Sequence, residues 1–229
     1  MKKKLLIFGA NGSLGRGIVD VIPENKFTEI HLFDFKFENS NHSHYNLHMV
    51  SDLSIEQNVE NAFHNVTNSK ESVFYLISTI GGYIGGEKIS DTKVEDYLKL
   101  INMNLTSNFL ILKHFQKLVN KSHSGTALFT TAFTGLNAKE LNGVYGASKG
   151  ALIHLVKTAS LEGREIKLSV NSIAPLIIDT PENRSWLNYD QLETIQKPGE
   201  IGKFIFGIFE NYNFVTGNIF EMTSRFCID

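Results

Sequence analysis

Lys4-Leu5-Leu6-Ile7-Phe8-Gly9-Ala10-Asn11-Gly12-Ser13-Leu14-Gly15-Arg16 is the stretch that decides the fold. Leu5 to Phe8 form a short apolar run ended by glycine, which suits a strand buried on both faces, as in a parallel sheet. Gly9, Gly12 and Gly15 follow at intervals of three, and Ile18, Val19 and Ile22 then recur at helical spacing up to Pro23. A strand, a glycine turn and a helix, in that order, are the context that a dinucleotide-binding fingerprint requires. Glycine lets the backbone approach a pyrophosphate. The helix N-terminus adds unpaired N–H groups and the positive end of a dipole.

Working outward, strand-like and helix-like segments alternate. Residues 29–33 read as a second strand with Asp34 at its end, about twenty residues past the glycines, where an acid can bind the adenosine ribose hydroxyls. A carboxylate there repels a 2′-phosphate, so NAD(H) is favoured over NADP(H); Lys36 is a cation that would act the other way. His48 to Val50 lead into Asp52-Leu53 as a third strand end. Either acid has an ordinary alternative use as a helix cap or turn residue. Residues 55–66 have a helical pattern and 73–79 an apolar one, followed by Ile80-Gly81-Gly82-Tyr83-Ile84-Gly85-Gly86. Residues 94–117 predict one long helix with Leu98, Ile101, Leu105, Phe109 and Leu112 on its apolar side. Strands over 126–131, 168–173 and 218–222 and helices over 144–161 and 200–209 complete the pattern. The order predicts an α/β fold: a single-domain, doubly wound parallel sheet of Rossmann type with helices on both faces.

The 229 residues suit one such domain. A formal net charge of −2 gives no support for nucleic acid or an anionic membrane as partner. Lys2 to Lys4 read as a solvated start; the apolar run behind them is too short for a signal peptide. No apolar stretch approaches the ~20 residues of a membrane helix. Cys227 is the one cysteine, so no intramolecular disulfide can form. A cytoplasmic protein with a small-molecule substrate is the expectation.

The chemistry centres on Val144-Tyr145-Gly146-Ala147-Ser148-Lys149-Gly150. Four residues are about one helical turn, so Tyr145 and Lys149 share a face. A phenol with a pKa near 10 is a poor acid–base catalyst at neutral pH, and an ammonium one turn away lowers that pKa. The pair can then exchange a proton with a substrate oxygen. His42, His44 and His48 read as a solvated loop rather than metal ligands, since ligation needs convergent geometry, and no metal is expected. Phe204, Phe206 and Phe209 read as core. Trp186 and Tyr189 read equally as lid aromatics or as packing.

Assembled in this order, the glycine turn, Asp34, Asp52, Gly81, Asn104, Tyr145-x-x-x-Lys149 and Pro175 through Thr180 resemble the short-chain dehydrogenase/reductases over essentially the whole chain. The resemblance implies an NAD(P)-dependent oxidoreductase. Tyr145 would be the general acid. Lys149 would bind the nicotinamide ribose and lower the tyrosine pKa, and Asn104 would support a water-mediated proton relay. It implies a cofactor held by Gly9, Asn11, Gly12, Ser13, Leu14, Gly15, Asp34, Asp52, Leu53, Ile80, Gly81, Tyr145, Lys149, Pro175, Ile178 and Thr180. The substrate pocket would include Tyr83, Ala132 and Trp186, and the assembly would be a homodimer or a tetramer.

Departures point to a subgroup. The family's catalytic serine, thirteen residues before the tyrosine, is Ala132 here; Thr131 and Thr134 are near but out of register. The usual Asn-Asn-Ala-Gly is Ser78-Thr79-Ile80-Gly81, and Leu176 replaces the usual glycine after Pro175. Gly81 to Gly86, Tyr145 to Ala151 and Asp179-Thr180-Pro181-Glu182-Asn183-Arg184 resemble segments of the branch that reduces quinonoid dihydropterin with NADH, which also lacks the serine. Asn104 instead resembles the commoner members. Losing an orienting hydroxyl can cost ~10²-fold or more on a simple ketone; an electron-poor conjugated ring accepts hydride more readily. Three readings stand: a reductase of a pterin or similar conjugated ring, a general carbonyl reductase or alcohol dehydrogenase, and a non-enzymatic dinucleotide sensor.

Overall fold

A computed structural model describes residues 1–37 and 44–224. His42 and Cys227 lie outside the described residues. In chain order the elements are β1 (Lys2–Phe8), α1 (Ser13–Val19), β2 (Glu29–Asp34), β3 (Asn46–Met49), α2 (Glu56–His64), β4 (Ser72–Ser78) and α3 (Val94–Ile101). They continue with α4 (Ser107–Val119), β5 (Ser124–Thr130), α5 (Gly143–Glu162), β6 (Leu168–Pro175), α6 (Pro181–Arg184), α7 (Tyr189–Thr194), α8 (Pro198–Glu210) and β7 (Ile219–Met222).

The seven strands among the described residues all pair in parallel, in the order β3-β2-β1-β4-β5-β6-β7. The apolar run of β1 is buried throughout because helices cover both sides of the sheet. Alternation along each strand divides the core. Leu6, Phe8, Phe74 and Leu76 face the layer of α2, α4 and α5. Leu5, Ile7, Tyr75 and Ile77 face α1 and α8. The order reverses between β1 and β4, so the ends of these neighbouring strands open a crevice of the kind in which α/β sheets bind ligands.

The structure corrects several expectations. The helix predicted over 94–117 is broken by a π-helical turn, Asn102–Thr106, between α3 and α4. The apolar side read from the sequence is only in part the buried one: Leu112 is buried and Leu105 packs against the core. Leu98 and Phe109 are exposed, while Leu100, Asn104, Asn108, Ile111 and Phe115 face inward. His48 is not a loop residue: it sits on β3, its ring stacked on Phe33 and its Nε2 3.0 Å from His31 Nδ1. Burial pushes both histidines below their ordinary pKa. Phe206 and Phe209 are core as expected, but Phe204 is exposed and packs edge-on against Phe220.

Helices α6 and α7 were not expected, although both carry start signals. Thr180 caps α6, its Oγ1 accepting from Asn183 N with Pro181 next in line, and Asn188 and Gln191 form a capping box on α7. No helix among the described residues is long and apolar enough to cross a membrane.

Candidate functional site

The site is assembled where β1, β4 and β5 end and α5 begins. Gly9 takes φ of +82°, a left-handed conformation that glycine adopts without strain. A Cβ there would stand 2.4 Å from Thr79 Oγ1, which donates to the Gly9 carbonyl at 2.8 Å. This contact ties the glycine turn of β1 to the end of β4. The turn is also tied to β2: Asn11 N–H donates to Asp34 Oδ2 at 2.8 Å, and Phe35 N–H to Asp34 Oδ1 at 2.7 Å. Asp34 thus stands beside the glycine turn, as its spacing predicts. Leu14 and Leu53 direct their side chains into the core, leaving only backbone for a ligand. Asp52 accepts from Ser54 N at 2.8 Å and Ser54 Oγ at 2.7 Å, so it performs the turn-residue role.

Gly81 shows most directly how the catalytic candidates converge. A Cβ on it would lie 2.7 Å from Lys149 Nζ and 2.8 Å from Asn104 Oδ1. Three residues far apart in sequence therefore meet at one point, and only a glycine leaves room for both side chains. Asn104, fully buried in the π-helical turn, accepts from Gly82 N at 2.8 Å. Its Nδ2 donates to Gly82 O at 3.0 Å and to Ser148 Oγ at 3.0 Å. Both amide hydrogens are thus committed to protein partners, so the side chain clamps the 81–82 backbone to α5. Ser148, in turn, donates to Tyr145 O at 2.8 Å. Asn108 extends the clamp, donating to Ile80 O at 3.1 Å and to Asn104 O at 2.9 Å while accepting from Ser78 Oγ at 2.6 Å.

Lys149 is buried and donates to Thr130 O at 2.9 Å. Burial lowers its pKa to about 8. Tyr145 moves the other way, pushed up to about 12 by burial first and by the Tyr83 phenol second. The expected lowering of the phenol by the ammonium is therefore not what dominates: desolvation acts on both groups, and each favours its neutral form. The Tyr83 ring packs edge-on against Tyr145, with centroids 5.0 Å apart at 79°.

Ala132 is buried at the head of the 3₁₀ turn Phe133–Gly135. Thr131 cannot stand in for a serine there, because its Oγ1 donates to Ile173 O at 2.7 Å. Thr134 differs: its Oγ1 is buried with no partner, and its carbonyl lies against Gly146, next to Tyr145. Pro175 ends β6; Ile178 bridges to Gln196, and Thr180 caps α6. Trp186 and Tyr189 are exposed rather than packed, and Trp186 makes no ring contact with Tyr83 or Tyr145. Among the described residues no group of three or more His, Cys, Asp or Glu is placed to hold a metal.

Ser148, Asn108, Thr79 and Thr130 are the site residues that sequence reasoning missed. Ser148 was visible inside the Tyr145–Lys149 segment. Thr130 acts through its backbone carbonyl, Thr79 through its hydroxyl and Asn108 through an amide on α4, each toward a residue distant in sequence or a backbone group, which leaves no spacing signal.

A family model described as short chain dehydrogenase matches residues 3–190. The chain belongs to that family and is an oxidoreductase of its NAD(P)-dependent class. The dihydropteridine reductase of Dictyostelium discoideum is 28% identical over 205 residues, covering 87% of this chain and 86% of that protein. A 3-oxoacyl-(acyl-carrier-protein) reductase of Bos taurus is 24% identical over 208 residues, covering 89% and 86%. Among solved structures, ElxO with NADP bound superposes with a TM-score of 0.81 at 22% identity, covering 97% of this chain and 98% of that one.

Proposed function

We propose that the protein is an NADH-dependent reductase of a quinonoid dihydropterin or a similar conjugated ring, with Tyr145 as general acid. One observation carries the reading: the wall beside Tyr145 is aromatic where a ketone reductase needs a hydroxyl. Tyr83 packs edge-on against the Tyr145 ring, Ala132 holds the serine position, and Thr131 spends its hydroxyl on Ile173. Such a wall suits a flat ring that needs little polarisation. Similarity to the Dictyostelium dihydropteridine reductase supports the same substrate class.

The residues fit a dinucleotide. At Gly12 a Cβ would meet only the Gly9 carbonyl oxygen, at 3.5 Å, so the turn presents open backbone to a ligand, and Asp34 stands beside it. Bound there, the reduced nicotinamide supplies the hydride. Tyr145 supplies the proton: with a pKa near 12 its phenol is fully protonated at neutral pH, the form an acid catalyst needs. Lys149, one turn along, stabilises the phenolate that donation leaves and offers an ammonium to the ribose. Asn104 positions the 81–82 backbone.

A second reading rests on Thr134. Its buried, unpartnered hydroxyl is one small rearrangement from acting as the orienting donor for a simple carbonyl, which would favour a general carbonyl reductase. NADH oxidation measured against quinonoid dihydropterin, quinones, ketones and aldehydes separates the two. Turnover confined to ketones and aldehydes would overturn the first.

We further propose a homodimer through α3, α4 and α5, in the cytoplasm. Tyr97, Leu98, Phe109 and Leu161 leave apolar surface exposed on these helices, which a twofold partner would bury.

A further inference from the structure

We propose a second ligand site, for a small oxyanion of the phosphate-ester class, at the end of the strands opposite the dinucleotide crevice. The crevice forms where β1, β4 and β5 end. This cleft forms instead where β5 and β6 begin, at Ser124 and Leu168, and is closed by the loop between α8 and β7. Its volume is about 390 Å³, within the range of small-molecule pockets and larger than bare phosphate needs.

The lining is one-sided in charge. Arg164, Lys167 and His123 line the cleft and no acidic side chain does. Among the described residues none of the three is in an ion pair. This grouping occurs in a chain whose net charge is −2, so it is not a general basic surface. The floor adds a donor. Ser124 Oγ and Tyr212 Oη are 2.9 Å apart, and that contact uses one of their two hydroxyl hydrogens. The other has no protein acceptor among the described residues and is available to a ligand oxygen. Lys167 also holds a left-handed backbone, φ +56°, a position glycine fills at lower cost. A residue kept in a strained conformation at the rim of a polar cleft points to a use for its side chain. A guanidinium, an ammonium, a ring N–H and a hydroxyl with no competing carboxylate match the acceptor-rich surface of a phosphate group.

The test is calorimetric titration of inorganic pyrophosphate into the NADH-saturated protein at fixed ionic strength, so that the crevice is already filled. Saturable binding is expected. In the Arg164→Ala/Lys167→Ala double variant it should be at least about tenfold weaker, with NADH oxidation unchanged. Lys167→Gly separates a binding role from a structural one. It relieves the left-handed backbone, so the variant should be no less stable than the parent yet bind pyrophosphate more weakly. No saturable binding to the parent protein, or equal binding by the double variant, would overturn the proposal.

Discussion

Lys149 donates from Nζ to the carbonyl oxygen of Thr130 at 2.9 Å, from a position only 4% exposed. A single neutral acceptor does not offset the loss of water around an ammonium, so the folded pKa is about 8 against 10.5 unperturbed. Between these values the unfolded chain binds more protons than the folded one, and stability rises with pH. The penalty is fully present below about pH 8 and is relieved towards 10.5, on the order of 3 kcal/mol in all. Denaturant titrations of the parent and of Lys149→Met across this window should show the parent gaining relative to the variant. Parallel curves would mean that Lys149 keeps its ordinary pKa. Loss of the same charge should raise the KM for NADH above about pH 8.

Tyr145→Phe removes the proton donor but keeps the ring that packs against Tyr83. Turnover should fall by ~10²–10⁴-fold, with NADH affinity nearly unchanged. Unchanged turnover on the best substrate would end the general-acid assignment. Ala132→Ser is the companion experiment: it should scarcely help a conjugated ring, but should raise slow activity on simple ketones by restoring an orienting donor.

Asp34 holds two backbone N–H groups and presents its negative charge beside the glycine turn. Fluorescence titrations at one ionic strength should give NADH about tenfold or more tighter than NADPH. Asp34→Ser should narrow that gap. Equal or tighter NADPH binding to the parent would show that a nearby cation such as Arg16 or Lys36 outweighs the carboxylate.

Gly81→Ala sends a methyl group into Lys149 Nζ and Asn104 Oδ1. The ammonium sits at the end of a flexible chain and can give way, while the clamped Asn104 carboxamide must shift by a few tenths of an ångström, so the fold should survive with near-native circular dichroism but reduced stability. The displaced ammonium no longer aligns with Tyr145, and displacements of this size cost ~10²-fold in rate. A variant of normal activity would show that neither Lys149 nor Asn104 needs its observed position.

The exposed apolar residues of α3, α4 and α5 make the assembly testable by light scattering. A dimer is expected at micromolar concentration, and Leu98→Arg with Phe109→Arg should convert it to monomer. A monomeric parent protein would remove the dimer.

Much of the frame was legible because its signals are local. Leu5 to Phe8, the glycines at 9, 12 and 15, and Ile18, Val19 and Ile22 at helical spacing specify a strand, a turn and a helix. Tyr145 and Lys149 share a helical face by spacing alone. What was not legible depends on meetings across the fold. The pKa of Tyr145 is raised by burial and, less, by Tyr83, neither of which spacing reveals. The assignment of Leu98 and Phe109 to the buried side failed because nothing in residues 94–117 announces a wider turn. Reading His48 as part of a solvated loop failed because its partner, His31, lies on the neighbouring strand, whereas reading it toward the third strand placed it correctly.

That wider turn sets stability against activity. A residue deleted just after Asn104, at Leu105 or Thr106, would restore regular i→i+4 bonding from α3 into α4, an intrinsically better helix. It would also swing everything before the deletion by roughly 100° about the helix axis, carrying Leu98 off its present face and withdrawing Asn104 from Gly82 and Ser148. Selection for heat resistance alone would therefore tend to erase the feature that holds the site together, and its presence marks a place where this chain gives up regularity in exchange for chemistry.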